Sequence, residues 1–214
     1  MAQLTDDLFD AIEFDAARCG DHLTAALRMS RLASTGEPAG GMSRAEAYLR
    51  TGEQWLLADD PAEAADAFRQ AIADGGRTFV DPRVPLARAL YLLDRPEQAA
   101  SIIGQLQAEG PTDPRVCDLV AELLLERSDL TGALAWVTLG VELCLSAEMT
   151  DSADEPSQAV ISGRPAAEAS QAVKSGDRAA ELRLLLNLRY RIRNDLGLPE
   201  DGYDRLIDRL GADS

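Results

Sequence analysis

Apolar residues along this chain recur at helical spacing, and polar punctuation divides them into short paired runs. Leu4, Leu8, Ile12 and Ala16 share one face of a helix predicted over residues 3–18. Cys19-Gly20 ends it, glycine being the usual residue just past a helix end. Asp21 then caps a second helix that runs to about Ala33. Residues 34–42, STGEPAGGM, read as a Gly/Pro linker. Ser43 with Glu46 three residues later forms a capping-box pattern that opens the next helix. Pro61 starts that helix's partner, at a position where proline's missing N–H costs nothing, and residues 73–76, ADGG, end it. Further hairpins open at Asp81-Pro82 and Asp113-Pro114. Pro96 and the turn SDLTGA separate their two halves. The expected hairpins lie near residues 4–33, 44–75, 81–110 and 114–145.

Beyond them the pattern loosens. Residues 146–175 read as an acidic linker or insertion, with a short helix over 166–174. A long helix is expected from Arg178 to Leu196, carrying Leu182, Leu185, Leu186, Ile192 and Leu196 as a stripe. Gly197 ends it, and Pro199 to Leu210 forms a last amphipathic helix. The division expected is 1–145 for the repeats, 146–175 for the linker and 176–212 for capping helices.

The hairpins share a register. Residues 48–71, YLRTGEQWLLADDPAEAADAFRQA, place Tyr48, Thr51, Gly52 and Trp55 on one helix and Ala64, Phe68 and Ala71 on the next. Gly52 and Ala64 lack bulk, so two antiparallel helices can approach closely, and the aromatics fill the gaps beside them. Leu86, Ala87, Leu90, Ala99 and Ile103 repeat the pattern, as do Val120, Ala121, Leu124, Ala133 and Val137. The alanine slots Ala64, Ala99 and Ala133 are 35 and 34 residues apart. In the first hairpin Ala25, Met29 and Leu32 take the corresponding slots. This resembles the tetratricopeptide repeat (TPR) family, whose period is ~34 residues and whose pattern is W-x2-L-G-x2-Y followed by A-x3-F. The resemblance covers residues 5–145. It implies an all-α, right-handed solenoid of antiparallel helix pairs with C-terminal capping helices. The chain is also similar to uncharacterised actinobacterial TPR proteins. Some of those carry a Cys-rich zinc motif of the kind that ends the SecA translocase, and that motif is not found in this sequence.

Composition agrees with helices. Apolar residues make up 46% and aromatics only 5%, so the residues that favour strands are scarce. The formal net charge of -16 sets the chain against nucleic acid and anionic membrane, and makes basic partners the electrostatic default. Lys174 is the sole lysine, and the arginine bias runs along the whole chain. Cys19, Cys117 and Cys144 are widely spaced, so neither a redox pair nor a zinc site is expected. No signal peptide or membrane span is read from the sequence, and the cytoplasm is the expected location.

The chemistry-bearing motifs are few. There is no phosphate loop, nucleophile elbow or HExxH pair. His22 is the one histidine and falls in a turn, where a structural role is expected. The carboxylates Asp6-Asp7, Asp59-Asp60 and Asp151, Asp154, Glu155 fall in turns, caps and the linker, so no catalytic residue, metal or cofactor is expected and the chain is read as non-enzymatic. Arg183, Arg189, Arg191 and Arg193 form a basic cluster, expected to pair with the acidic body or with residues 151–155. In the family the first helix of each pair lines a concave groove that binds peptides. On this chain that implies Arg50, Glu53 and Leu56, then Arg88 and Tyr91, then Asp118, Glu122 and Leu125. Arg50 and Arg88 would meet a peptide's carboxylates, and Asp118 and Glu122 its basic groups. Solvated or intramolecular pairing of the same residues is the other reading. The function expected is an adaptor or scaffold that holds a protein segment of unknown identity. The alternatives are a homodimer formed through exposed capping helices and, more remotely, a carboxylate-based metal-dependent hydrolase.

Overall fold

The structure is a computed structural model that describes residues 3–153 and 165–207, with side chains for 3–146 and 178–207. The fold is all-α and TPR-like: consecutive helices pack as antiparallel pairs, and within the first unit each pair packs on the next through its second helix. Two compact units form, Met1–Gly110 and Pro111–Ser214.

The first unit holds α1 (Asp6–Cys19), α2 (His22–Thr35), α3 (Arg44–Leu57), α4 (Pro61–Asp74), α5 (Arg83–Leu92) and α6 (Pro96–Glu109). The small slots close as the spacing requires. Gly52 and Ala64 are buried, and a Cβ built on Gly52 would lie 2.4 Å from a ring carbon of Phe68. Ala87 and Ala99 are fully buried at the matching places one hairpin on. Trp55 Nε1 donates to Ser30 Oγ at 3.0 Å, and His22 Nδ1 lies 3.0 Å from Gln54 Oε1, so polar contacts also fasten α2 to α3. The lone histidine is thus committed to packing.

The chain's start departs from the expected helix over 3–18. Thr5 is extended and its hydroxyl accepts from Leu8 N, so α1 begins at Asp6. Gln3–Leu4, β1, pairs in parallel with Glu37–Pro38, β2, inside the stretch read as a linker. Gly36 permits this pairing, because a Cβ there would sit 2.6 Å from Leu4 Cδ2. Leu4 is fully buried through this bridge rather than on a helical face. The capping box at Ser43 is only half formed. Ser43 Oγ accepts from Glu46 N, but the Glu46 carboxylate accepts from Phe79 N in the loop before α5.

The second unit holds α7 (Pro114–Glu126), α8 (Leu130–Ala153) and α9 (Pro165–Asp195). Val120, Ala121, Ala133 and Val137 are fully buried between α7 and α8, and Leu182, Leu185, Leu186 and Ile192 of α9 are buried as the stripe requires. Gly140 supplies the close approach here, where a Cβ would meet Cys117 Cβ at 3.0 Å and Leu185 at 3.1 Å. The short helix expected over 166–174 is continuous with the longer one, as α9. Of the expected linker, residues 154–164 lie outside the described residues, as does the end of the last amphipathic helix after Ile207. That last helix begins at Asp204 rather than Pro199. Asp201 Oδ1 accepts from the backbone N–H of Tyr203 and Asp204 and caps it there.

One backbone feature marks the register independently of side-chain size. Two residues before the second helix of each hairpin, the chain enters the left-handed region: Gly20 (φ 71), Asp59 (φ 61), Asp94 (φ 56) and Ser128 (φ 61). Aspartate tolerates this conformation and glycine adopts it freely, whereas serine gains little from it. Ser128→Gly is therefore expected to raise stability by roughly 0.5–1 kcal/mol in urea melts. A loss would mean that the Ser128 side chain has a role the turn geometry does not show.

Candidate functional site

In the first unit the residues expected to line a groove lie on the first helices α3 and α5. On α3, Glu46, Arg50, Glu53 and Leu57 follow one another at spacings of four, three and four, which puts them on a single stripe. Gly52 and Trp55 occupy the opposite, buried side.

Arg50 does not meet solvent as a waiting cation. Its Nε and Nη2 donate to the two oxygens of Glu13 at 2.8 and 2.6 Å, and Nη2 also reaches Asp10 Oδ1 at 2.5 Å. Asp6 lies 3.6 Å from Nη1, and the guanidinium carbon sits 5.5 Å from the centre of the Phe9 ring. Asp6, Asp10 and Glu13 form a stripe on α1 at spacings of four and three, a signal the sequence already contained. The carboxylate partner expected from a peptide is supplied here by the chain's own first helix.

Glu53 stands beside this network and accepts no hydrogen bond from the described residues. Crowding by the surrounding protein desolvates its carboxyl. With Glu13 and Glu46 nearby, this pushes it up to about 7, while Arg50 pulls the other way. The residue is nonetheless exposed to water, so local crowding rather than burial is at work. A carboxyl held above its ordinary range favours the folded state when protonated. That contribution is complete below about pH 4.5 and disappears as pH rises through about 7. Glu53→Gln is accordingly expected to match the parent at pH 4.5 and to exceed it at pH 8. After allowance for solvent screening the gain is about 1 kcal/mol. Urea midpoints at the two pH values would measure it, and an equal difference at both would count against the crowding.

Leu56 is half-buried at the end of α3, and Arg88 and Tyr91 of α5 are half-buried and engaged within the chain. In the second unit α7 carries Asp118, Glu122 and Leu125. Asp118 is half-buried, and desolvation pushes its carboxyl up. Glu181 of α9, not singled out from the sequence, joins it there. Its Oε1 is buried with no hydrogen-bond partner among the described residues, and burial together with Asp113 and Asp118 raises its carboxyl.

The basic cluster of α9 has a definite use. Arg189 is buried and donates to Asp201 at 2.6 and 3.1 Å, to Asp204 at 3.4 Å and to Thr138 Oγ1 at 3.0 Å, with its guanidinium 4.6 Å from the Tyr203 ring centre. Arg193 bonds Asp204 at 3.2 Å and Asp201 at 3.0 Å, and donates to Pro199 O. The partners of these two arginines are therefore the capping carboxylates a few residues on. Residues 151–155, the partner expected from the sequence, lie outside the described side chains.

Little here suits covalent chemistry. Cys117 and Cys144 are buried and Cys19 is exposed, all three as free thiols. Burial pushes the Cys117 thiol up to about 12, far from the thiolate a nucleophile needs. Among the described residues no group of three or more His, Cys, Asp or Glu side chains could hold a metal ion. No helix among them is long and apolar enough to cross a membrane.

Searches of curated proteins and of solved structures returned no match. A family model described as Tetratricopeptide repeat matches residues 56–123, from the last turn of α3 into α7. That match supports a protein-interaction role in general terms. Together, the matched stretch, the buried small residues and the recurring left-handed turn give an all-α, TPR-like helical repeat.

Proposed function

We propose that this chain is a non-enzymatic adaptor or scaffold that holds a segment of another protein against the first helices of its hairpins. The observation that carries the reading is the shared register of α1, α3 and α5. The small residues and aromatics of each hairpin turn towards its neighbours. On this reading Arg50, Glu53 and Arg88, with Leu56 and Tyr91 beside them, would form the surface that meets the segment. A surface made of equivalent positions from successive hairpins suits an extended or helical segment, which itself repeats along its length. On α7, Asp118, Glu122 and Leu125 would extend the same use in the second unit.

The test is a selection of random 15-residue displayed peptides on the full-length chain, with heat-unfolded chain as the control. Enrichment of a shared sequence pattern on the folded chain is the expected result. A folded chain that enriches nothing beyond the control would overturn the adaptor reading.

A further inference from the structure

Ten large apolar side chains stand exposed among the described residues, and two of them, Leu57 and Leu92, hold equivalent places on first helices of the first unit, with Phe14 on a third. Leu57 (60% exposed) and Leu92 (62%) each lie two residues before the left-handed turn residue, Asp59 and Asp94. Phe14 (69%) lies six residues before Gly20, as Glu53 lies six before Asp59 and Arg88 six before Asp94. Leu57 ends the stripe of Glu46, Arg50 and Glu53, and Phe14 follows Glu13 directly. The first helices α3 and α5 thus repeat a bulky apolar group at one position, and Phe14 adds another about a turn earlier on α1. Soluble chains expose single apolar residues routinely, but apolar residues repeated in register along one face mark a contact surface.

The charge between these groups points to what covers them. The cation that the sequence offered for a partner's carboxylates, Arg50, is occupied by Asp6, Asp10 and Glu13. Carboxylates outnumber the one guanidinium there: Asp6, Asp10 and Glu13 lie on Arg50, and Glu13 and Glu46 act on Glu53 beside it. Glu53 accepts no hydrogen bond from the described residues, and its carboxyl is held up by desolvation first and by Glu13 and Glu46 second. A cation arriving from a partner would relieve that repulsion. A second copy of this chain would add to it, since each copy has a formal net charge of -16.

We infer that the face of α1, α3 and α5 bearing Phe14, Leu57 and Leu92 docks a cationic amphipathic segment of another protein, its bulky apolar side chains on those three residues and its Lys or Arg groups on Asp10, Glu13 and Glu53. This rests on the adaptor reading and specifies the partner's chemistry: apolar anchors supply the contact, and the acidic surround selects the sign of charge and speeds the encounter.

The experiment reads the composition of the peptides selected above, then measures binding of a synthetic Leu/Lys amphipathic peptide by fluorescence anisotropy. The expected selection is rich in Lys or Arg together with Leu, Ile, Phe or Trp. Binding of the Leu/Lys peptide should weaken about tenfold or more in a Leu57→Ser/Leu92→Ser double variant. It should also weaken as ionic strength rises from about 0.05 to about 0.3 M. Both leucines are exposed, so the variant should melt as the parent does, which circular dichroism checks. A matched Leu/Glu peptide should bind far more weakly. If the selection instead yields acidic or neutral sequences, or binding survives the double serine change, the inference fails while the adaptor reading stands. If nothing is enriched, both fall. A concentration-dependent dimer abolished by the same two substitutions would assign the face to a second copy and overturn the inference.

Discussion

Gly52→Ala is expected to lose about 2 kcal/mol of stability, although alanine is the better helix former. The added methyl would stand 2.4 Å from one carbon of the Phe68 ring and 2.7 Å from two others. The ring is fully buried, so it cannot swing out to solvent. Overpacking of that kind costs roughly 3 kcal/mol at the upper end of the usual range, and exchanging glycine for alanine in a helix interior returns about 1 kcal/mol. Gly104 provides the control within the same unit. It lies mid-helix in α6, is exposed, and has no heavy atom within 4 Å of where its Cβ would be. Gly104→Ala should therefore gain roughly 0.5–1 kcal/mol. Opposite signs for the same chemical change, read as urea midpoints, would separate crossing geometry from helix propensity.

Arg189→Met should loosen the C-terminal segment by about 3 kcal/mol, because it removes one partner from a buried charge network and leaves the others in place. Asp204 is itself buried and would keep Arg193 and the backbone N–H of Asp201, while Asp201 and the Tyr203 ring would lose the guanidinium that joins them to α8 and α9. The effect should appear first as faster amide exchange over residues 198–207, since this segment can open before the helix pair does. Arg189→Lys should restore little: one ammonium cannot bond Asp201 in two places while also stacking on Tyr203. The hydrogen bonds from Arg189 hold the Asp201 carboxyl down at about 2. The stability this group contributes is thus fully present above about pH 4 and is lost as pH falls through about 2. Exchange over 198–207 that is as slow in Arg189→Met as in the parent would show that the arginine does not hold the segment.

The repeat architecture was legible because it depends on side-chain size at fixed intervals. Ala64, Ala99 and Ala133 are 35 and 34 residues apart, and all three are fully buried. Prolines and acidic caps at Asp60-Pro61 and Asp113-Pro114 fixed the helix starts, because cap chemistry is local. What escaped depends on contacts distant in sequence. Two-residue strands carry no periodic signal, so Gln3–Leu4 read as the start of a helix. Glu46 suited a capping box by spacing, yet its carboxylate found Phe79 N 33 residues away. Arg50 was recognised as a surface charge, but its occupants come from a helix some 40 positions earlier. Spacing places a side chain on a face; it does not say which neighbouring face supplies its counter-charge.

The most direct test of the repeat packing is a double-mutant cycle between Gly52 and Phe68. Phe68→Leu removes the ring that a methyl at position 52 would strike, at its own cost of roughly 1–3 kcal/mol. On that background Gly52→Ala is expected to be neutral or stabilising, giving a coupling of about 2 kcal/mol between the two sites. If alanine at position 52 costs as much with leucine at 68 as with phenylalanine, the two helices do not cross there, and the packing on which the fold and the proposed docking face both depend is wrong.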